Sequence, residues 1–320
     1  MTAFLLSFAA IGALLAGTAV QRWSAAARRA ARSLMITYAV IGFALLAGEL
    51  FFRFAHVDTE GRLASQRWVE RYWRANTLGF RDREWAPTDW AAKTTVVIVG
   101  DSFAAGWGIE DPADRFGDVL GARLGDGYAV INLGLPGTST PEQLEILRAF
   151  PLENPDIVIL QYFLNDIEYA ALTLGLGIDI PQPPPLLRES YLGNFIYARF
   201  TAGFQPDYWS WQYGMYDRAD VWTVHRAELE AFADYVESIG ARLIVVIFPN
   251  LQDPVGSIAY VDRVAAVFEA RDHDAVLKLF DAAATWPRDA LIVSERDGHA
   301  SAAFHRYVGE RLYADFFAGP

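Results

Sequence analysis

The sequence contains no cysteine, and this absence excludes two kinds of site. Without cysteine the chain forms no disulfide bond, so it is not a disulfide-stapled module, and it has no zinc site with thiolate ligands. The absence does not fix the redox compartment. Histidine is also scarce, with 5 residues, and neither the histidines nor the carboxylates have the spacing of metal ligands. We therefore expect no metal and no cofactor.

Positive charge is in deficit, which argues against nucleic acid as a partner. The chain has 27 Lys and Arg against 39 Asp and Glu, a formal net charge of -12. An acidic protein has little electrostatic attraction for phosphate backbones. No phosphate-binding loop and no G-x-G-x-x-G fingerprint is present. With 53% hydrophobic and 21% charged residues, the chain is also unlike a disordered protein.

Apolar residues are concentrated in two runs near the N-terminus. The run Ala3–Val20 has no charged residue, and the run Leu34–Phe52 has only Glu49. Each has close to the roughly 20 residues that a membrane-spanning helix needs. The segment between them carries four arginines and no acidic residue: Arg22, Arg28, Arg29 and Arg32. The positive-inside rule predicts that this segment is a cytoplasmic loop.

These runs predict a two-helix transmembrane hairpin over residues 1–53, followed by a polar connector over 54–92 and a globular domain over 93–320. The predicted location is the bacterial inner membrane, with two spans and the globular domain on the periplasmic or extracytoplasmic side. A cleaved signal peptide before a single anchor is the alternative. No Lys or Arg precedes the first run, so the charged region of a signal peptide is missing.

From residue 94 onward, short apolar segments rich in β-branched residues alternate with helical patterns. The predicted strands are Thr95–Gly100, Tyr128–Leu133, Asp156–Tyr162, Arg242–Phe248 and Ala275–Phe280. This alternation is typical of a parallel sheet covered by helices on both faces. In such sheets ligands bind at the carboxyl ends of the strands, so chemistry is expected there.

Four polar motifs lie at or near these strand ends. They are Gly100-Asp101-Ser102, then Asn132-Leu-Gly134-Leu-Pro-Gly137, then Phe163-Leu164-Asn165-Asp166, and, before the last helix, Asp297-Gly298-His299. Taken alone, each motif is often only a turn or a helix cap. Taken together, a serine, a glycine, an asparagine and a histidine follow one another in a fixed order along an α/β chain.

This order resembles that of the SGNH hydrolases, also called GDSL-like esterases and lipases, over roughly residues 94–317. The resemblance implies a flavodoxin-like three-layer α/β/α sandwich with a five-stranded parallel sheet. It implies that Ser102 is the nucleophile, His299 the general base and Asp297 its orienting acid. The implied oxyanion hole consists of the Ser102 N–H, the Gly137 N–H and the Asn165 amide. This division of roles suits ester chemistry, in which negative charge develops on a carbonyl oxygen.

Three positions depart from the family's common pattern. Phe163 stands where a glycine is usual before Asn165. The spacing Asp-x-His is one residue shorter than the common Asp-x-x-His, so Glu295 or Asp281 could orient His299 instead of Asp297. The residues after His299 are Ala-Ser rather than Pro-Asn.

An insertion over residues 174–216 is rich in proline and aromatic side chains. A connection of this length is usually functional. Its aromatic residues could form the core of a small packed subdomain, a lid or substrate platform, or a contact with the membrane or a partner. The sequence leaves these three alternatives open.

We derive three hypotheses about function. The first is a membrane-anchored serine esterase that removes acyl groups from envelope glycans or lipids. The second is an O-acyltransferase that uses the same serine and passes the acyl group to a sugar hydroxyl. The third is a non-catalytic scaffold subunit that retains the fold and binds a membrane-protein partner through the hairpin.

Overall fold

The computed structural model describes residues 8–13, 16, 24–180, 182–200 and 205–318. The chain forms two compact units. The smaller comprises Met1–Arg71 with Ile180–Phe204, and the larger comprises Tyr72–Asp179 with Gln205–Pro320. The predicted domain bounds at 53/54 and 92/93 remain a prediction.

Five parallel strands form the centre of the larger unit. They are β1 (Thr94–Val99), β2 (Tyr128–Asn132), β3 (Ile157–Phe163), β4 (Arg242–Phe248) and β5 (Ala275–Lys278). Their order in the sheet is β2-β1-β3-β4-β5, and every pairing is parallel. The α/β fold with a five-stranded parallel sheet is therefore confirmed. The chain order reverses between β1 and β3, and such a switch point opens a crevice for ligands at the carboxyl ends of the strands.

Helices precede the strands, connect them and end the chain. In chain order they are α1 (Ala25–Phe54), α2 (Arg62–Tyr72), α3 (Pro87–Trp90), α4 (Ser102–Ala105), α5 (Phe116–Leu124), α6 (Thr140–Ala149), α7 (Ile167–Thr173), α8 (Pro185–Arg188), α9 (Tyr191–Phe200), α10 (Gln205–Asp217), α11 (Ala219–Ser238), α12 (Pro254–Glu269), α13 (Phe280–Thr285), α14 (Arg288–Leu291) and α15 (Ala302–Phe316). Short 3₁₀ turns lie at Pro112–Asp114 and Leu164–Asp166.

The sheet has an apolar core on each face, because successive residues of a strand point to opposite sides. Val97 and Val99 of β1 belong to one core, which α6, α11 and α12 cover. Val96 and Ile98 belong to the other, which α5, α13 and α15 cover. The larger unit therefore has three layers, and the central strands β1, β3 and β4 are buried over nearly their whole length.

In the smaller unit, α1 is a single helix of 30 residues. Within the described part of the chain, it alone is long and apolar enough to cross a membrane. Arg28, Arg29 and Arg32 lie inside this helix, so the prediction that they occupy a loop is wrong. The alanine-rich sequence around them has a high helix propensity, which extends the helix to Ala25. The other predicted span, Ala3–Val20, lies largely outside the described residues. The part of this run that the structure describes over residues 8–13 is helical.

The predicted insertion contributes to both units. Its middle part, with α8 and α9, belongs to the smaller unit, and α10 belongs to the larger one. Tyr216 on α10 is fully buried in a core of the larger unit, and Trp209 and Tyr213 pack against that core. The aromatic residues of α10 therefore have a packing role.

Candidate active site

The turn that follows β1 presents Ser102 at the carboxyl edge of the sheet. Ser102 is half-buried and is the first residue of α4. Asp101 caps this helix, because its Oδ1 accepts a hydrogen bond from the backbone N–H of Phe103 at 2.9 Å. Gly106 ends the helix in the left-handed conformation, with φ 74°, where a residue with a side chain would be strained. The chain is thus bent sharply on both sides of the serine hydroxyl.

Gln161, a buried residue of β3, holds this turn from the neighbouring strand. Its Oε1 accepts hydrogen bonds from the backbone N–H groups of Asp101 and Ala104, each at 3.0 Å. The close approach requires glycine at position 100, since a Cβ there would lie 2.4 Å from Gln161 Oε1. Gln161 is absent from the residues predicted for the site. Its signal is a lone polar residue within the otherwise apolar strand Ile157–Phe163.

His299 lies between Ser102 and Asp297. Its Nε2 is 2.8 Å from Ser102 Oγ, and its Nδ1 is 2.5 Å from Asp297 Oδ1. The imidazole is partly exposed, whereas Asp297 is buried. Residues separated by almost two hundred positions in the chain therefore form one continuous hydrogen-bonded series, acid to imidazole to hydroxyl.

The short Asp-x-His spacing suits a tight loop. Asp297 Oδ1 also accepts a hydrogen bond from the backbone N–H of His299 at 3.1 Å, which folds the loop so that both side chains face the same way. The backbone N–H of Val293 donates to the carbonyl of His299 at 2.9 Å and closes the loop. Of the three acids considered from the sequence, Asp297 is the one hydrogen bonded to the imidazole, and Glu295 is exposed on the same loop.

Gly137 and Asn165 lie on the loops that follow β2 and β3. Gly137 is exposed with φ 79°, and its loop is tied to the turn that carries Ser102 by a hydrogen bond from the Leu135 N–H to the Gly100 carbonyl at 3.0 Å. Asn165 is half-buried and lies in the 3₁₀ turn Leu164–Asp166, directly after β3. The structure therefore brings all five predicted site residues to the same edge of the sheet.

Asp101 and Asp166 form a pair of buried carboxyl groups behind Ser102. Burial raises the pKa of Asp101 from 3.8 to about 6. Burial, together with the charge of Asp101, raises the pKa of Asp166 well above its usual value. Asp166 Oδ2 accepts a hydrogen bond from Thr140 Oγ1 at 2.8 Å. Two interacting carboxyls in a dry site do not readily ionise together, so the pair retains a proton at pH values where exposed carboxyls have lost theirs.

Phe163, which replaces the family's usual glycine, is buried in an aromatic cluster. Its ring centroid lies 4.3 Å from that of Phe103 and 5.6 Å from that of Trp209 on α10. Phe103 also packs on the imidazole of His299, with centroids 5.0 Å apart. The bulkier residue is therefore accommodated because an aromatic side chain of the insertion packs beside it.

Arg81 supports the far side of the turn that carries Ser102. It is buried, and its guanidinium donates hydrogen bonds to the carbonyls of Gly106 and Ile109, both at 2.6 Å. Burial and the neighbouring Arg115 lower the pKa of Arg81 to about 10. The sequence places Arg81 only in a polar connector, because no pattern around it indicates which carbonyls it binds.

Two further histidines are buried and differ in their surroundings. His305 is fully buried, and its Nδ1 accepts a hydrogen bond from the Phe116 N–H at 3.2 Å. The sequence indicates no polar partner for His225, whereas the structure gives it two. Its Nε2 lies 2.7 Å from Tyr162 Oη and its Nδ1 lies 2.9 Å from Glu228 Oε2. Because His225 has no exposed surface, we interpret this second series as structural.

Within the described ranges, no group of three or more His, Asp or Glu side chains is placed to hold a metal ion. The chemistry available at this edge of the sheet is that of a hydroxyl, an imidazole, a carboxylate and amide donors.

The sequence matches the model of the GDSL-like Lipase/Acylhydrolase family over residues 98–307. No curated protein matches it significantly. Similar solved structures include TesA, at 17% identity over 70% of this chain and 98% of that chain, with a TM-score of 0.46. A carbohydrate acetylesterase family member from Sinorhizobium meliloti is 16% identical over 69% and 96%, with a TM-score of 0.41. The inhibitor-bound aryl esterase of M. smegmatis is 18% identical over 69% and 97%, with a TM-score of 0.38. With the family matched over most of the chain, the protein belongs to the GDSL-like lipases and acylhydrolases, the SGNH hydrolases, and is a carboxylic-ester hydrolase.

Proposed function

We propose that this chain is a membrane-anchored serine esterase that removes acyl groups from glycans or lipids of the bacterial envelope. The observation that carries the proposal is the hydrogen-bonded series from Asp297 through His299 to Ser102. In a serine hydrolase, a carboxylate orients the imidazole and stabilises its protonated form, while the imidazole takes the proton of the hydroxyl. The two distances match those roles.

In the first step, Ser102 Oγ attacks the carbonyl carbon of the ester while its proton moves to His299 Nε2. The carbonyl π electrons move to the oxygen and give a tetrahedral oxyanion. When this intermediate collapses, the bond to the alcohol oxygen breaks, and the alcohol leaves with the proton from His299 Nε2. The products of this step are the free alcohol and an acyl group on Ser102.

The oxyanion would be held by the backbone N–H groups of Ser102 and Gly137 and by the Asn165 amide. By analogy with other oxyanion holes, each such fixed donor stabilises the transition state by about 3–4 kcal/mol. The positive φ of Gly137 and the position of Asn165 directly after the carboxyl end of β3 support this assignment.

In the second step, water attacks the acyl carbon and gives a proton to His299 Nε2. The bond to Ser102 Oγ then breaks, His299 returns the proton to Oγ, and the carboxylic acid is released. A sugar hydroxyl in place of water would give an O-acyltransferase by the same chemistry. The site residues serve both reactions equally, so esterase activity is the simpler proposal, and the response to an added acceptor sugar separates the two.

We further propose that α1 crosses the inner membrane and, with the run Ala3–Val20, forms a hairpin that leaves the larger unit outside the cytoplasm. The apolar composition of α1 supports the span. Stacking of Phe8 on Tyr38 of α1, with ring centroids 4.0 Å apart, supports the pairing of two helices. An enzyme held there would meet acylated envelope molecules, which is the basis for the proposed substrates.

The proposal is tested by labelling the full-length protein in detergent with a serine-directed fluorophosphonate. We expect labelling of the wild type and its loss in Ser102→Ala and His299→Ala. Ser238→Ala and His273→Ala, at exposed positions outside the site, are the matched controls and should label normally. A folded wild-type protein that fails to label would overturn the esterase proposal and favour the scaffold hypothesis.

A further inference from the structure

Glu49 is a buried carboxylate on α1. The other residues of the apolar run Leu34–Phe52 on this helix are mostly exposed. Its Oε2 accepts hydrogen bonds from Ser190 Oγ at 2.8 Å and from the Leu192 N–H at 3.0 Å. Its Oε1 accepts one from the Tyr191 N–H at 3.1 Å. The carboxylate therefore binds the first turn of α9, where the free N–H groups and the helix dipole favour negative charge.

The adjacent residues of α1 reinforce this contact. Gly48 allows α9 to approach closely, because a Cβ there would lie 3.1 Å from Leu192 Cδ2. One turn later, Phe52 stacks on Phe195 with ring centroids 4.1 Å apart. α9 is thus fixed to the last two turns of α1 by a carboxylate clamp and a stacked pair.

The arginines of α1 indicate the membrane depth of this clamp. Arg32 and Arg53 are 21 residues apart, about 31 Å at 1.5 Å per residue. The hydrocarbon core is about 30 Å thick, and arginines at helix ends reach the headgroups. With Arg53 at the interface, Glu49 lies one turn deeper, about 6 Å along the axis. A carboxylate at that depth needs polar partners, and the start of α9 provides them.

The composition of α9 suits the same depth. Ile196 and Phe200 lie one turn apart on its exposed side, with 38% and 85% of their surfaces accessible. The guanidinium of Arg199 lies 4.4 Å from the Phe195 ring centroid, and that of Arg53 lies 5.5 Å from the Tyr191 ring centroid. Aromatic and arginine side chains together are characteristic of the membrane–water interface.

We infer that α9 is an interfacial membrane helix, which Glu49 fixes to the span and whose exposed side, Ile196 and Phe200, contacts lipid. This inference rests on the proposed membrane span of α1. The ligand is the bilayer surface itself, with acyl chains against the two apolar side chains and headgroup phosphates beside Arg199. The middle of the insertion would then be a membrane contact.

The absence of cysteine allows a direct test, because a single introduced cysteine is the only thiol. Full-length protein would be reconstituted in phosphatidylethanolamine–phosphatidylglycerol vesicles with a nitroxide on Ile196→Cys or Phe200→Cys. Leu78→Cys and Val255→Cys, exposed apolar positions of the larger unit, are the matched controls. Collision with oxygen, which concentrates in lipid, is compared with collision with a water-soluble nickel complex.

We expect the ratio of oxygen to nickel collisions at positions 196 and 200 to be several-fold higher than at the controls. Nickel access at positions 196 and 200 equal to the controls would overturn the inference while leaving the span intact, provided that the protein floats with the vesicles. Protection from both reagents would mean a protein contact, such as a second copy, and would also overturn it. Failure to float would overturn the span and the inference together, whereas fluorophosphonate labelling reports on the esterase independently.

The clamp is tested on the same labelled protein with Glu49→Ala. We expect the label at Phe200→Cys to lose its lipid exposure and gain nickel access, while the protein still floats. Glu189→Ala, an exposed acid beside α9, should leave the label in lipid. An unchanged label in a folded Glu49→Ala protein would remove Glu49 from the inference. If that variant does not fold, the wild-type depths still decide whether α9 contacts lipid.

Discussion

Gln161 Oε1 accepts a hydrogen bond at 3.0 Å from the backbone N–H of Asp101, the residue that precedes the proposed nucleophile Ser102. With its second hydrogen bond, from the Ala104 N–H, this side chain spans the turn that carries Ser102. Gln161 lies inside strand β3, in the rigid centre of the sheet. Its two hydrogen bonds therefore hold the four-residue helix α4, which begins at Ser102, in a fixed position. We therefore regard Gln161 as a positioning residue for Ser102.

Replacing Gln161 by leucine should lower kcat about 10–100-fold with a smaller change in KM, because a displacement of the reacting group of about 1 Å costs this much. Two buried N–H groups would lose their acceptor, so stability should also fall, by about 1–3 kcal/mol per group. The measurement is hydrolysis of a short-chain 4-nitrophenyl ester, with thermal unfolding followed in parallel.

A control separates positioning from lost stability. Gln212→Leu removes another fully buried glutamine, on α10, and should lower stability with little effect on kcat. Gln161→Glu keeps the Oε1 acceptor but adds a third carboxyl group next to Asp101 and Asp166. Its activity should be close to the wild type at acid pH and fall as the pH rises. Equal kcat losses in Gln161→Leu and Gln212→Leu, at matched stability, would contradict the positioning role.

Much of the fold could be predicted because local sequence determines it. The sequence predicts the strand Arg242–Phe248 with its observed bounds, because a short apolar run rich in β-branched residues follows a helix-ending glycine. For the basic segment before Leu34 the sequence predicts a loop, because its charge indicates the membrane edge, whereas its alanines form a helix. Membrane topology and helix propensity are separate signals, and in this segment the propensity determined the local structure.

The candidate site was predictable only in part. The motifs point to Ser102, Asn165 and His299 as candidates, and the parallel topology places those motifs together. Gln161 and Arg81 were not identified, because each acts on backbone groups distant in the chain. Glu49 was visible as an acid in an apolar run, but its partners lie more than 140 residues later. Contacts of this kind depend on the assembled fold.

Asp297 should matter for activity far more than its neighbour Glu295. Asp297→Asn keeps an oxygen near His299 but loses the charge that stabilises the imidazolium, so kcat should fall by about 10²–10⁴-fold. Glu295→Gln, on the same loop but exposed, should retain activity within about twofold. Both are measured as kcat for the short-chain ester. A larger loss in Glu295→Gln would mean that the exposed acid orients the imidazole during catalysis.

Asp166→Asn should stabilise the protein increasingly as the pH rises. Burial and the charge of Asp101 raise the folded-state pKa of Asp166 well above the usual 3.8. The folded protein therefore binds this proton more tightly than the unfolded chain does. The contribution of this proton to the free energy of unfolding is fully present below about pH 4. It is lost as the pH rises towards the folded pKa, by at most about 1.4 kcal/mol per pH unit. Asparagine removes that loss and can still accept the hydrogen bond of Thr140.

The check is the difference in melting temperature between Asp166→Asn and the wild type, measured from pH 4 to pH 8 in detergent. The difference should grow with pH. Asp126→Asn, at an exposed position, makes the same change in formal charge and should give a nearly constant difference. A difference for Asp166→Asn that shrinks with rising pH would show that the buried carboxylate is stabilising.

His305 should make the protein less stable in acid, the opposite sign to Asp166. Burial, together with the charge of Arg115, lowers the pKa of His305 from 6.5 to about 3. The folded state therefore excludes a proton that the unfolded chain binds below about pH 6.5, and stability falls from there towards pH 3 by at most about 1.4 kcal/mol per pH unit.

His305→Asn keeps an acceptor for the Phe116 N–H but does not titrate in this range. It should be less stable at pH 7, because a buried ring is lost, yet its melting temperature should fall less steeply between pH 6.5 and pH 4. His273→Asn, at an exposed position, should follow the wild type. Parallel curves for His305→Asn and the wild type would mean that the buried imidazole takes up its proton without unfolding.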